Sequence, residues 1–166
     1  MEFADKNGGR TTCRGLALVL VQLIRAYNIK AFHVTCFPYE NPSDCHVVVC
    51  AYCENLGKCI MLDPSANLYY RNKDGEIISV DELRDILISG GELFPNEDFF
   101  NYMNYREFMA ENLIRIERYN VSSYGNDGHG GRVILIPKKY MENEAKNFPE
   151  DIQKQFITSK KSFWQI

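Results

Sequence analysis

The chain has 166 residues, enough for one domain with a hydrophobic core and too few for two. Hydrophobic residues make up 45% and charged residues 25%, the balance of an ordinary soluble globular protein. The formal charge is −3, and no basic run exceeds Lys138-Lys139 or Lys160-Lys161, which excludes the footprint of a polyanion binder and makes nucleic acid an unexpected partner.

The amino-terminal stretch MEFADKNGGR has no apolar run of signal-peptide length. The most apolar run, residues 16–24, is too short to span a bilayer and is followed by Arg25. The expected setting is cytoplasmic, with no membrane partner. Because the chain begins only a dozen residues before Cys13, it is expected to be the carboxy-terminal portion of a longer protein.

Thr11-Thr12 offers an N-cap, and residues 13–27 then read as a helix. That segment is apolar nearly all round, which predicts burial in the middle of the domain. Asn28 is a suitable left-handed residue to end it. Three strands are expected next, at residues 30–37, 45–53 and 59–62, from their β-branched and aromatic content. Pro38 and Pro42 bracket the loop after the first. A tight connection through Gly57 predicts that the second and third pair antiparallel.

Further on, Ser79-Val80-Asp81-Glu82 is a capping box opening a short helix that Gly90-Gly91 closes. A second helix is expected from about Glu97 to Asn112. Residues 114–119 alternate at period two, and residues 132–136 answer them as a partner strand across a glycine-rich loop. Phe156-Ile157 and Phe163-Trp164 are expected to make an edge strand. The fold class is α+β: a buried amino-terminal helix packed on a mostly antiparallel sheet, with further helices outside.

Three residues carry candidate chemistry. Cys13 opens a helix, where unpaired N–H groups and the helix dipole favour a thiolate. His46 begins an apolar strand and Asp63 ends the adjacent one, so pairing through the Gly57 turn brings both to one end of the sheet. Acyl transfer by cysteine needs a thiolate, an imidazole to exchange protons and a group that holds the imidazole's tautomer. Taken singly, each has a plainer reading: a buried thiol, a hydrogen-bonded core histidine, and an Asp-Pro turn.

The order and context of these motifs distinguish them. Thr12-Cys13-Arg14-Gly15-Leu16-Ala17, then Leu23-Ile24-Arg25-Ala26-Tyr27-Asn28-Ile29-Lys30-Ala31, then Cys45-His46-Val47-Val48-Val49 and Asp63-Pro64-Ser65 together resemble the transglutaminase-like superfamily. The resemblance covers about residues 10 to 70. Asn28 and Lys30 stand where that family has glycine and proline, and Val48 where it often has an aromatic residue. The resemblance implies a papain-like fold and a Cys13–His46–Asp63 triad acting on amide bonds of a peptide or protein substrate, as protease, amidase or transglutaminase. The alternative it allows is an inactive peptide- or protein-binding module. The backbone N–H of Cys13 is a candidate oxyanion donor, and Asn7 a candidate second one.

No cofactor or metal is expected. Cys45, Cys50, Cys53 and Cys59 include one Cys-x-x-Cys, but on a single strand Cys50 and Cys53 point to opposite faces and cannot chelate together. The five cysteines other than Cys13 are expected to be free. His33 is expected to be packed and His129 solvated. Tyr39, Tyr69 and Tyr70 flank the triad positions as cleft or packing residues.

Overall fold

A computed structural model describes residues 11–38, 45–100, 104–119 and 131–164 of the chain. The fold is α+β, with a mixed six-stranded sheet and helices on both faces. The amino-terminal helix α1 (Cys13–Ala26) leads into β1 (Ala31–Phe37), β2 (His46–Cys53) and β3 (Lys58–Leu62). The short strand β4 (Tyr70–Arg71), helix α2 (Val80–Ser89), short strand β5 (Phe94–Pro95) and helix α3 (Tyr105–Asn112) follow. The chain continues through β6 (Arg115–Tyr119), β7 (Arg132–Leu135), α4 (Lys138–Ala145), α5 (Glu150–Gln153), β8 (Phe156–Ile157) and α6 (Lys160–Trp164). The sheet order is β3-β2-β1-β6-β7-β8, antiparallel except for the last pair, and β4 and β5 form a separate two-stranded ribbon.

The turn between β2 and β3 is a single 3₁₀ turn at Glu54–Leu56, ended by Gly57 at φ 62°, where only glycine avoids a Cβ penalty. That turn sets the register, with Cys53 opposite Lys58 and Val49 opposite Leu62. Alternation then sorts the side chains. Phe32, Val34, Cys36, Val48, Cys50 and Met61 face the larger core, filled by Leu83 of α2, Tyr105 and Met109 of α3, and Phe163 of α6. Ala31, Val47, Val49 and Ala51 face the opposite way, against Ala17 and Val21 of α1.

Helix α1 is therefore covered on one side only. Ala17 and Val21 are completely buried, but Val19 and Leu23 are 51% and 57% exposed. The expectation of a helix buried all round is corrected: Ala17, Leu18 and Val21 are buried, with Leu20 and Ile24 packed beside them, while Val19 and Leu23 face outward. Asn28 adopts the left-handed conformation at φ 60°, and its N–H donates to the carbonyl of Arg25.

The face shared with α1 continues across the sheet, because Thr35 pairs with Glu117 and Glu117 with Ile134. There Ile134 and Phe156 pack under Tyr140 and Met141 of α4 and Ile152 of α5. Between the two apolar patches, buried Glu117 accepts from Arg115 at 3.1 Å and from Arg132 at 3.5 Å. The Arg115 guanidinium lies 4.3 Å from the centre of the Phe37 ring. Burial raises the Glu117 carboxyl above its ordinary value despite the two arginines.

Two further expectations are corrected. Helix α3 begins at Tyr105, capped by Asn104, not near Glu97; Phe100 instead donates its N–H to the carbonyl of Ala66. Phe163 and Trp164 lie in helix α6 and only Phe156-Ile157 joins the sheet, as a parallel partner of β7. The glycine-rich loop, with His129, lies outside the described residues. No helix among the described residues is long and apolar enough to cross a membrane.

Candidate active site

Thr12 caps α1 by accepting the Gly15 N–H on its side chain at 3.1 Å, which sets Cys13 as the first helical residue. Gly15 packs close to Thr11: a Cβ there would meet the Thr11 hydroxyl oxygen at 2.2 Å, so that side chain would have to turn away. His46 opens β2 opposite Cys36, on the face of the larger core, whereas Cys13 packs with α1 on the other face. The two meet at the first residue of β2, where the Cys13 sulfur is hydrogen-bonded to His46 and to the backbone N–H groups of Val47 and Arg14.

Asp63 follows β3 and is held by a turn closed on both sides. Its N–H donates to the Leu68 carbonyl at 2.8 Å, and the Leu68 N–H donates back at 2.9 Å. His46 Nε2 lies 2.6 Å from Asp63 Oδ2. The structure thus brings the three sequence-selected residues Cys13, His46 and Asp63 into one hydrogen-bonded line. An ionised carboxylate only accepts, so Nε2 carries the proton, and Nδ1 is the nitrogen left to face the thiol. His46 is 5% exposed and Asp63 1%, while Cys13 remains partly open to solvent.

Asp63 accepts on both oxygens. Oδ1 takes the Ser65 hydroxyl at 2.5 Å, the Ser65 N–H at 2.9 Å and the Ala66 N–H at 3.4 Å. Oδ2 takes the Tyr105 hydroxyl at 2.5 Å in addition to His46. Tyr105 and Phe108, both on α3, also wall in the imidazole edge-on, with ring centres 6.2 Å and 5.1 Å away. Sequence reasoning did not select either residue. Tyr105 is 42 positions from Asp63, and nothing in its local pattern separates it from the other nine tyrosines.

The electrostatics follow from these contacts. Burial pushes the Cys13 thiol up, but the hydrogen bond and charge of His46 and the two backbone N–H groups outweigh it, leaving the thiol below its ordinary value. Burial pushes His46 down, yet Asp63 and Cys13 together raise it to about 9. Burial raises Asp63, and the donors from His46, Ser65 and Tyr105 bring it below the usual carboxylate value. All three shifts favour a thiolate–imidazolium pair backed by an ionised carboxylate.

Asn7, the candidate oxyanion donor, and Tyr39 lie outside the described residues. Tyr70 packs in the core against Tyr105, at a ring separation of 6.0 Å. Tyr69 lies under the Arg71 guanidinium, in a shallow depression that it shares with Asn67 and Asn96 beside the Asp63 turn. His33 is packed as expected, 1% exposed and stacked on Tyr119. Burial and the nearby charges of Arg14 and Arg25 depress it to about 4.

All six cysteines are free thiols. Cys36, Cys50 and Cys59 are buried in the larger core, where burial raises their thiols above the ordinary value, Cys59 to about 11. Cys50 and Cys53 lie on opposite faces of β2, and among the described residues no group of three or more His, Cys, Asp or Glu is placed to hold a metal ion. No family model matches the chain, and neither the curated proteins nor the solved structures contain a match.

Proposed function

We propose that the chain is a transglutaminase-like, papain-type enzyme that uses Cys13 for acyl transfer or hydrolysis at amide bonds of a peptide or protein substrate. The observation that carries this reading is the hydrogen-bonded line from the half-open Cys13 thiol through His46 to buried Asp63, with the thiol held low and the imidazole held high. A binding module would have no need of a saturated carboxylate fixing an imidazole against an accessible thiol.

The reaction then runs in two halves. The Cys13 thiolate attacks the amide carbonyl carbon and forms a C–S bond. The imidazolium of His46 gives its Nδ1 proton to the amide nitrogen, and the C–N bond breaks to leave a thioester and a free amine. His46, now neutral, takes a proton from the incoming nucleophile as that nucleophile adds to the thioester. The C–S bond breaks, the thiolate leaves, and the pair is restored. Water as acceptor gives hydrolysis; a primary amine gives a new amide. Asp63 holds the ring in the Nε2–H form throughout and stabilises its cationic state.

The test is incubation with a proteome-derived peptide mixture and monodansylcadaverine in ¹⁸O-water, with Cys13→Ser alongside. Dansyl incorporation identifies the transferase, and ¹⁸O in new carboxyl groups the hydrolase. Either must vanish in Cys13→Ser. If neither product nor a covalent adduct on Cys13 forms, the enzyme reading fails and the binding module takes its place.

A further inference from the structure

Building on that proposed reading, we propose that Tyr105 is a positioning residue that shares Asp63 Oδ2 with His46, limiting the negative charge the carboxylate offers the imidazolium so that His46 remains acidic enough to protonate a leaving amine. The geometry carries this. The Tyr105 hydroxyl and His46 Nε2 lie 2.5 Å and 2.6 Å from the same oxygen, deep in the larger core. The phenol is 5% exposed, and its hydroxyl is spent on the carboxylate.

A carboxylate oxygen that already accepts a short charge-assisted bond is a weaker acceptor for the next donor. An imidazolium facing an unshared buried carboxylate would hold its proton too tightly. In the acylation step that proton has to reach the amide nitrogen. Tyr105 therefore works against Asp63, through Asp63, without touching the reacting atoms.

The groups that face this cluster come from every neighbouring element. They are Cys13 on α1, Cys36 on β1, Cys45 just before β2, Tyr70 on β4, Arg84 on α2 and Arg106 on α3. On the other oxygen of Asp63, the donors shown among the described residues are Ser65 and Ala66. Burial and the Asp63 charge hold Tyr105 well above the usual phenol value, so the hydroxyl keeps its proton across the working range.

The experiment is an NMR titration of ¹⁵N-histidine protein, in which His46 is identified among three histidines by the signal lost in His46→Ala. In the wild type, His46 is expected to titrate at about 9. Tyr105→Phe removes only the hydroxyl and should move that titration upward by about half a pH unit or more. Tyr105→3-fluorotyrosine keeps the hydroxyl and the ring's size, makes it a stronger donor, and should move the titration downward. It remains informative if the phenylalanine variant does not fold. A wild-type His46 near 9 with no shift, or with shifts of the opposite sign, overturns the role of Tyr105 and leaves the triad intact. A wild-type His46 titrating near its ordinary 6.5 overturns the proposed activation of Cys13 itself, whatever the variants do.

Discussion

Asp63→Asn keeps the shape of a buried side chain and removes its charge, and the hydrogen bonds around it say what should follow. His46 and Tyr105 donate to one oxygen, Ser65 and Ala66 to the other. An amide accepts on one side only. If its NH₂ group faces Ser65 and Ala66, it meets two backbone N–H groups that cannot turn away. If it faces His46 and Tyr105, the tyrosine hydroxyl can rotate to accept, and the imidazole can move its proton to Nδ1 so that Nε2 accepts. The second arrangement costs less, and it leaves a neutral imidazole whose only proton is on Nδ1, so the ring can no longer take the Cys13 proton. Lifting His46 from 6.5 to about 9 corresponds to about 3 kcal/mol in favour of the imidazolium. The two side chains are 6% and 0% exposed, so solvent screens little of the Asp63 share. Losing the Asp63 part of that preference should reduce the thiolate population about 10-fold or more. The assay is the iodoacetamide alkylation rate at Cys13 near pH ~6, read by mass spectrometry on protein whose circular dichroism is unchanged. A variant rate within about threefold of wild type would refute the reasoning, because the carboxylate would then contribute little to the ion pair.

Other outcomes follow from the same contacts. His46 is held above its unfolded-state value, so its contribution to stability is fully present below about 6.5 and is lost as pH rises through about 9. Urea midpoints of the wild type should fall across that window more steeply than those of His46→Gln, and parallel curves would contradict the assignment. Ser79→Ala should cost about 1 kcal/mol in thermal unfolding, because Ser79 accepts the Glu82 N–H at 3.2 Å and Glu82 accepts the Ser79 N–H at 2.7 Å. An unchanged midpoint would mean that the tie from Lys58 to Glu82 holds the helix start without the cap.

Much of the framework could be read from local pattern, because the signals were local. The β2–β3 hairpin follows from two β-rich runs joined through Gly57, and α2 from a capping box and a glycine that both appear in the structure. Strands β6 and β7 pair as their alternation requires. What local pattern could not supply is which side of an apolar helix finds a partner. The run from Cys13 to Ala26 has apolar residues all round, yet the side around Ala17 and Val21, flanked by Leu20 and Ile24, docks on the sheet and leaves Val19 and Leu23 exposed. Phe163 and Trp164 have β-forming side chains, and their tertiary setting overrides that preference: Phe163 fills the larger core from a helix. At the site, position alone did not single out Cys13, His46 and Asp63; they stood out because three separated motifs in order resemble the transglutaminase-like pattern. Tyr105 reaches Asp63 only through the packing of α3 on the sheet, a contact with no signature in sequence.

The most direct test of the central claim is the pH dependence of iodoacetamide labelling at each of the six cysteines, in the wild type and in His46→Ala. The account expects Cys13 to label well below the ordinary thiol range of about 8.5, ahead of the buried Cys36, Cys50 and Cys59, and to lose that advantage in His46→Ala. If Cys13 is accessible but labels no faster than an ordinary thiol, with or without His46, the thiolate–imidazolium pair does not exist and the enzymatic reading falls with it.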